Sequence, residues 1–253
     1  MTLNKIALVT GGSRGLGKEM ALSLAKKGID VLITYNNQEG EALKVVAEIE
    51  GMGQKAAAIK LNVGEAKTFD AFFEKVAARL KEIFGAAKIS FLINNAGIGV
   101  YAPMAETTEE EFDLLVNIHF KGVFFLTQKA LPFLEDGGGI VNISTGLARF
   151  ALPGYSAYAA MKAAIQTLTR YEAKELGSRS IRVNVVAPGA IETDFGGGAV
   201  RDNAQLNSYI AANTALGRVG KADDIGRVVA FLCSDDAKWV NAQVIEVSGG
   251  QML

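Results

Sequence analysis

Short apolar runs alternate with longer amphipathic segments along the whole chain, and no other feature limits the fold as strongly. The runs are Ile6–Val9, Val31–Tyr35, Ala56–Val63, Ile89–Asn94, Gly139–Ser144, Ile181–Ala187 and Gln243–Val247. Most are rich in Val and Ile and apolar at consecutive positions, the pattern of strands buried on both faces. Helical stretches are predicted near 16–27, 39–50, 65–84, 107–134, 155–177 and 222–234. In the first, Leu16, Met20 and Leu24 recur at four-residue spacing before Gly28 supplies a stop. In the fourth, Thr107 or Thr108 ahead of Glu109–Glu111 suits a helix start with acids in its first turn. Seven strands alternating with six helices predict an α/β fold, a doubly wound and mostly parallel sheet covered by helices on both faces.

No Pro/Ser-rich linker interrupts this pattern, and the chain has only four prolines, so residues 1–253 are expected to form a single domain. The irregular stretch from Gly189 to Gly220 contains Gly196, Gly197 and Gly198 in a row. A loop that long in a compact domain is usually a lid or binding element, so a substrate lid is expected around 190–220. With 26 basic and 27 acidic residues there is no basic footprint for nucleic acid or an anionic membrane. One His and one Cys cannot supply a zinc ligand set or an internal disulfide, and no metal is expected. No apolar run approaches the ~20 residues that span a bilayer. The opening MTLNKIALVTGG lacks a charged segment followed by a long apolar one, so no secretion signal is expected and the location expected is cytoplasmic.

The first strand runs into Thr10-Gly11-Gly12-Ser13-Arg14-Gly15-Leu16-Gly17, which opens the first helix. A glycine turn there lets backbone N–H groups approach a pyrophosphate, which a helix N-terminus also attracts. Its spacing is G-x-x-x-G-x-G, and the alternative is a tight turn that holds no ligand. The second strand ends Thr34-Tyr35-Asn36-Asn37, with no carboxylate for a ribose 2′-hydroxyl. Arg14 suits a 2′-phosphate instead, or else a solvated surface position. Tyr158 and Lys162 stand at i and i+4, on one face of a helix. A phenol with an ordinary pKa near ~10 is a poor acid/base at neutral pH, and a neighbouring ammonium lowers that value. Ser144 ends the fifth strand, where ligands of open parallel sheets sit, and its hydroxyl suits a substrate carbonyl or serves as a strand-ending cap.

On these residues the chain resembles the short-chain dehydrogenase/reductase family. The shared elements come in the family's order over the whole chain: Thr10 to Gly17, Asn62-Val63, Asn94-Asn95-Ala96-Gly97, Ser144, Tyr158-x-x-x-Lys162, and Pro188-Gly189 with Ile191 and Thr193. The nearest style is that of 3-oxoacyl carrier-protein reductases and similar bacterial ketoreductases. The resemblance implies a Rossmann-type domain and assigns roles by position. Tyr158 is the expected proton donor, Lys162 lowers its pKa and binds the nicotinamide ribose, and Ser144 orients the substrate oxygen. Gly11, Ser13, Arg14, Gly15, Leu16 and Gly17 cradle the phosphates. Asn62 and Val63 contact adenine; Asn95, Ala96 and Gly97 line the cleft; Pro188, Gly189, Ile191 and Thr193 hold the nicotinamide. Tyr35, followed by Asn36, takes the place where NAD-specific members carry Asp, so with Arg14 the expected cofactor is NADP(H).

There is one departure. Many members carry an Asn in the fourth helix that completes a proton relay, and the register puts that position on His119 rather than Asn117. The two are about 200° apart around a helix and cannot share a face. His119 either replaces the relay Asn, bonding a water or a carbonyl, or packs the helix. The activity implied is an NADP-dependent carbonyl reductase acting on a small-molecule ketone or secondary alcohol. A 3-oxoacyl carrier-protein reductase working on an acyl thioester is the alternative, and a non-catalytic nucleotide-binding regulator the remote one. Expected pocket walls are Leu147, Phe150, Leu152, Tyr155 and Phe195, with Tyr209 on the lid. By resemblance the chain is expected to form a homotetramer.

Overall fold

The computed structural model describes residues 4–253. Residues 1–3, which begin the expected domain and the segment read for a secretion signal, lie outside the described residues. Among the described residues the strands are β1 (Ile6–Val9), β2 (Asp30–Tyr35), β3 (Ala56–Lys60), β4 (Ile89–Asn94), β5 (Leu134–Ile143), β6 (Arg182–Pro188) and β7 (Val244–Val247). They form a sheet in the order β3-β2-β1-β4-β5-β6-β7, with every pairing parallel. The α-helices are α1 (Gly15–Ala25), α2 (Glu39–Gly51), α3 (Phe69–Arg79), α4 (Glu109–Val116), α5 (Gly122–Ala130), α6 (Ser156–Glu175), α7 (Ala199–Asp202), α8 (Ala204–Ala212) and α9 (Ala222–Leu232).

Strand alternation divides the core into two layers. Ala7, Val9, Val31 and Ile33 meet Met20 and Leu24 of α1, Val45 and Ile49 of α2, and Val229 of α9. Ile6, Leu8, Leu32 and Leu92 point the other way, onto Phe69, Phe73 and Val76 of α3 and Leu126 of α5. Each large side chain so buried stabilises the fold by about 1.5–3 kcal/mol. The order reverses between β1 and β4, so crossovers leave that point on opposite faces and open a crevice at the strands' carboxyl ends. No helix among the described residues is long and apolar enough to cross a membrane.

Several boundaries differ from the sequence expectation. The stretch predicted as one helix over 107–134 begins at α4, where Thr108 forms a capping box with Glu111. It then passes through a π-helical turn, Asn117–Lys121, before α5 resumes. β5 starts five residues early, at Leu134, because Gly137 adopts a left-handed φ of 79° and β4 shifts register between Ile89 and Phe91. β3 stops at Lys60, and Asn62 instead caps a turn by accepting from the Gly64 N–H at 3.0 Å. The stretch read as irregular around 190–220 carries α7 and α8, reached through Gly196, Gly197 and Gly198, all left-handed.

Candidate active site

A cleft of about 520 Å³ opens at the carboxyl ends of the central strands. Every catalytic and cofactor-binding residue expected from the sequence lines it, from Gly11 and Arg14 at one end to Tyr158 and Thr193 at the other. The glycine turn is shaped by close approach rather than by flexibility. A Cβ on Gly17 would lie 2.2 Å from the Gly11 carbonyl and 2.5 Å from Asn95 Nδ2, and Gly11 itself has a φ of 66°. The turn is tied to β2 and β4. Thr34 Oγ1 accepts from the Gly11 N–H at 3.1 Å, and Asn95 Nδ2 donates to the Thr10 carbonyl at 2.8 Å. The N-terminus of α1 faces the cleft with no side-chain cap and no acid in its first turn, so its N–H groups and positive dipole end are available to an anion.

Arg14 is exposed at the mouth of the cleft, and its guanidinium makes no hydrogen bond or ion pair among the described residues. Beside it Tyr35 turns its hydroxyl away to Glu39 Oε1 at 2.6 Å, and the cleft wall continues with neutral Asn36, Asn37 and Gln38. An unpaired guanidinium with no facing carboxylate fits a phosphorylated ribose better than a bare diol. The donor set therefore suits NADP.

At the far end, Tyr158 and Lys162 share the buried face of α6 that their spacing predicts. The Lys162 ammonium donates to the Ile143 carbonyl at 2.8 Å and lies 5.9 Å from the Tyr158 ring centre. Burial lowers its pKa to about 8. The phenol behaves differently from expectation: burial, with Tyr155 adding to it, pushes Tyr158 above its ordinary value. Loss of solvation outweighs the neighbouring cation in the protein alone.

His119 lies in the π-helical turn, 1% exposed, and faces the cleft; Asn117 does not line it. Its Nε2 sits 2.8 Å from the Ile98 carbonyl, which assigns the ring proton to that nitrogen. The same nitrogen is 3.3 Å from the Ile98 N–H, a contact needing the opposite tautomer, and the shorter one decides. Nδ1 is thus a bare acceptor, buried and without a protein partner. The ring stands edge-on to Tyr158 at 5.1 Å. Burial and Lys162 lower its pKa to about 3, against a smaller opposing effect of the Ile98 bond, so it is neutral at working pH.

Ser144 requires a correction. It lines the cleft, but its hydroxyl donates to the Lys162 carbonyl at 2.9 Å and accepts from Gln166 Nε2 at 3.1 Å. Strand-end geometry turns it into helix α6 rather than toward a substrate. The next residue, Thr145, was missed. It is half-buried in the same cleft, and its Oγ1 accepts from the Leu147 N–H at 3.3 Å, which leaves its own O–H free to donate. The signal was the Ser144-Thr145 pair itself, two adjacent hydroxyls just past β5 of which only the first is tied into α6. Gln251 also went unnoticed in the sequence and lines the cleft. The walls Leu147, Phe150, Leu152, Tyr155 and Phe195 gather around this end, whereas Tyr209 is exposed on α8 and does not line it.

Comparisons with known proteins find reductases of similar sequence and fold. The family model described as enoyl-(acyl carrier protein) reductase matches residues 11–252. The hydroxynaphthalene reductase-like protein Arp2 of Metarhizium brunneum is 38% identical over 259 residues, covering 98% of this chain and 95% of its own length. The promiscuous reductase LugOII, described as catalysing keto-reduction at C1 during lugdunomycin biosynthesis, superposes with a TM-score of 0.94 at 37% identity, covering all of both chains. The angucycline C-6 ketoreductase LanV, solved with bound NADP, gives a TM-score of 0.93 at 36% identity over 99% of this chain and 96% of its own.

Proposed function

The chain belongs to the short-chain dehydrogenase/reductase family, and from that premise we propose that it is an NADP-dependent carbonyl reductase whose Tyr158, Lys162 and Thr145 act on the substrate oxygen. A dinucleotide held in this cleft would supply the hydride that the carbonyl carbon takes up. As the oxygen gains negative charge, Tyr158 donates its phenolic proton to it, so the ketone gains hydride and proton and becomes a secondary alcohol. Lys162, cationic below about pH 8, stabilises the phenolate left behind. The free O–H of Thr145 donates to the same oxygen and fixes its position. His119 Nδ1 accepts from a water that returns a proton toward Lys162 and Tyr158. Arg14 and the first turn of α1 would hold the dinucleotide's phosphates. The observation that carries the reading is Tyr158 and Lys162 buried together beside Thr145, in the cleft that Arg14 opens.

We place the substrate among ketones carried on an apolar, ring-bearing skeleton. Phe150, Tyr155 and Phe195 line the wall, and the Phe195 ring lies 5.9 Å from that of Tyr158. Relatives named for hydroxynaphthalene and angucycline ketones support the same class. Residues 1–253 acting as one domain with a lid over 190–220 are further parts of this reading, supported by the unbroken alternation and the long stretch after β6, as are a homotetramer, carried by the family resemblance, and a cytoplasmic location. Native mass and cell fractionation check the last two.

The test is a panel of aromatic ketones and acyl thioesters offered with NADPH and with NADH, followed by nicotinamide absorbance. Expected is oxidation of NADPH with ring ketones, at a kcat/KM above that with NADH. Preference for NADH removes the role given to Arg14. Activity confined to thioesters makes the chain a carrier-protein reductase, and no oxidation anywhere makes it a nucleotide-binding regulator.

A further inference from the structure

Residues 249–252 touch three segments that are far apart in sequence, two of which carry cleft-lining residues, Gly189-Ala190 and Phe150. Gln251 is 6% exposed, and its Oε1 accepts from the Ala190 N–H at 2.8 Å. A Cβ on Gly189 would lie 2.8 Å from that oxygen and 2.9 Å from Ser248 Cα, so the turn after β6 lies flat against the C-terminal segment. The second segment follows α8. Ala215 and Leu216 donate their N–H groups to the Gly250 and Gly249 carbonyls at 3.1 and 3.0 Å, and Met252 donates to Asn213 at 2.8 Å. The third is the loop after β5. Arg149 Nη2 donates to the Gln251 carbonyl at 2.6 Å and Nη1 to Met252 at 3.1 Å. The same guanidinium grips Glu246, next to the end of β7, by Nε and Nη2, both at 2.7 Å.

Arg149 thus spends its planar fork on two carbonyls and a carboxylate at once, which an ammonium cannot reproduce. Its guanidinium also covers the ring of Phe150 at 5.3 Å, and Phe150 is a wall of the cleft. The segment is held in shape as well: Gly249, Gly250 and Met252 are left-handed, with φ of 64°, 79° and 57°. Met252 has no glycine freedom, so its conformation depends on these neighbours.

We propose that residues 249–252 form a clasp in which Gln251 and Arg149 are positioning residues: Gln251 sets the cofactor-side turn at Gly189-Ala190, Arg149 sets the Phe150 substrate wall, and one stretch of backbone holds the two in register. The inference rests on the reductase reading for its substrate side alone. Cofactor binding reports the Gln251 side independently.

The experiment compares Arg149→Met, Arg149→Lys, Gln251→Leu and Gln251→Glu with wild type. It measures KM and kcat for a ketone that wild type reduces, the Kd of NADPH by fluorescence titration, and the thermal midpoint. Arg149→Met is expected to raise the ketone KM at least about fivefold with the NADPH Kd within about twofold, and Arg149→Lys to match it. Gln251→Leu is expected to raise the NADPH Kd at least about fivefold, while Gln251→Glu, which keeps an acceptor for the Ala190 N–H, stays within about threefold of wild type. If Arg149→Met does not fold, Arg149→Lys carries the same test. An unchanged ketone KM in the Arg149 variants overturns the proposal. So does a Gln251→Glu as damaged as Gln251→Leu, or a uniform loss of kcat and both affinities that tracks the thermal midpoint. A wild type that reduces no ketone at all defeats the reductase reading, while the NADPH Kd of the Gln251 pair still decides the cofactor side of the clasp.

Discussion

Single residues separate what spacing can reveal from what surroundings decide. Tyr158 and Lys162 were legible because helical periodicity alone puts i and i+4 on one face, and both are buried there. Ser144 was misread because its hydroxyl partners, the Lys162 carbonyl and Gln166, come from another element, and no local pattern announces them. His119 was placed correctly on the cleft, but its chemistry depends on burial. An imidazole of ordinary pKa would protonate near ~6.5 and stop accepting in acid. Here burial and Lys162 hold it down to about 3, so only the neutral form exists across the working range. The kcat profile between pH 5 and 8 is therefore expected to have the same shape in wild type and His119→Asn. His119→Leu, which removes both ring nitrogens, should lose about tenfold or more in kcat. A limb near neutrality in wild type that vanishes in His119→Asn would show that the imidazole does titrate there, and a fully active His119→Leu would reduce it to packing.

Elements were legible where both faces of a strand are buried, since a Val/Ile run between glycines has few other solutions. Insertions into a regular element were not. The π-helical turn at Asn117–Lys121 has the composition of the helix on either side, and the early half of β5 reads as a glycine-rich gap. Both depend on contacts with distant backbone: a Cβ on Gly138 would lie 2.3 Å from the Ser90 carbonyl, and one on Gly122 2.3 Å from that of Val63. The loop after β4 and the π turn also press together, here through a side chain, since a Cβ on Gly97 would lie 2.6 Å from His119 Cε1. Gly97→Ala should therefore push the imidazole off the Ile98 carbonyl and destabilise the protein by about 1–3 kcal/mol, as overpacking does. The smaller side chain of His119→Ala should absorb most of that, so the double variant should be more stable than the sum of the two single losses predicts. Urea unfolding of the four proteins gives the cycle, and strict additivity would mean that the two elements do not press on each other.

At the scale of the whole molecule, the alternation of runs and helices foretold the doubly wound sheet, but not the polar chain that crosses its interior. Asn94 of β4 donates to Thr127 of α5 at 3.0 Å and to Asn142 of β5 at 2.8 Å. Asn142 in turn donates to Thr169 and Glu172 of α6 at 2.9 and 2.8 Å. The chain joins two strands to the helix that carries Tyr158 and Lys162. In the sequence Glu172 is one more charge on a helix, because nothing local says that α6 turns it inward. Burial, against the hydrogen bonds from Asn142 and Thr127, raises its pKa from 4.5 to about 7. Between those values the folded protein keeps a proton that the unfolded chain releases, so stability falls as pH rises from about 4.5 to 7 and is flat with respect to this group above that. The loss is on the order of 3 kcal/mol. Glu172→Gln keeps an acceptor for Asn142 and carries no charge at any pH. Its unfolding free energy should stay level where that of wild type declines, leaving the variant more stable at pH 8 and no better than wild type at pH 5. Urea unfolding at pH 5, 6, 7 and 8 measures the difference between the two curves, in which ionisations common to both proteins cancel. Parallel curves would mean that Glu172 ionises in the folded protein as readily as in the unfolded one, with Asn142 and Thr127 bearing its charge in full.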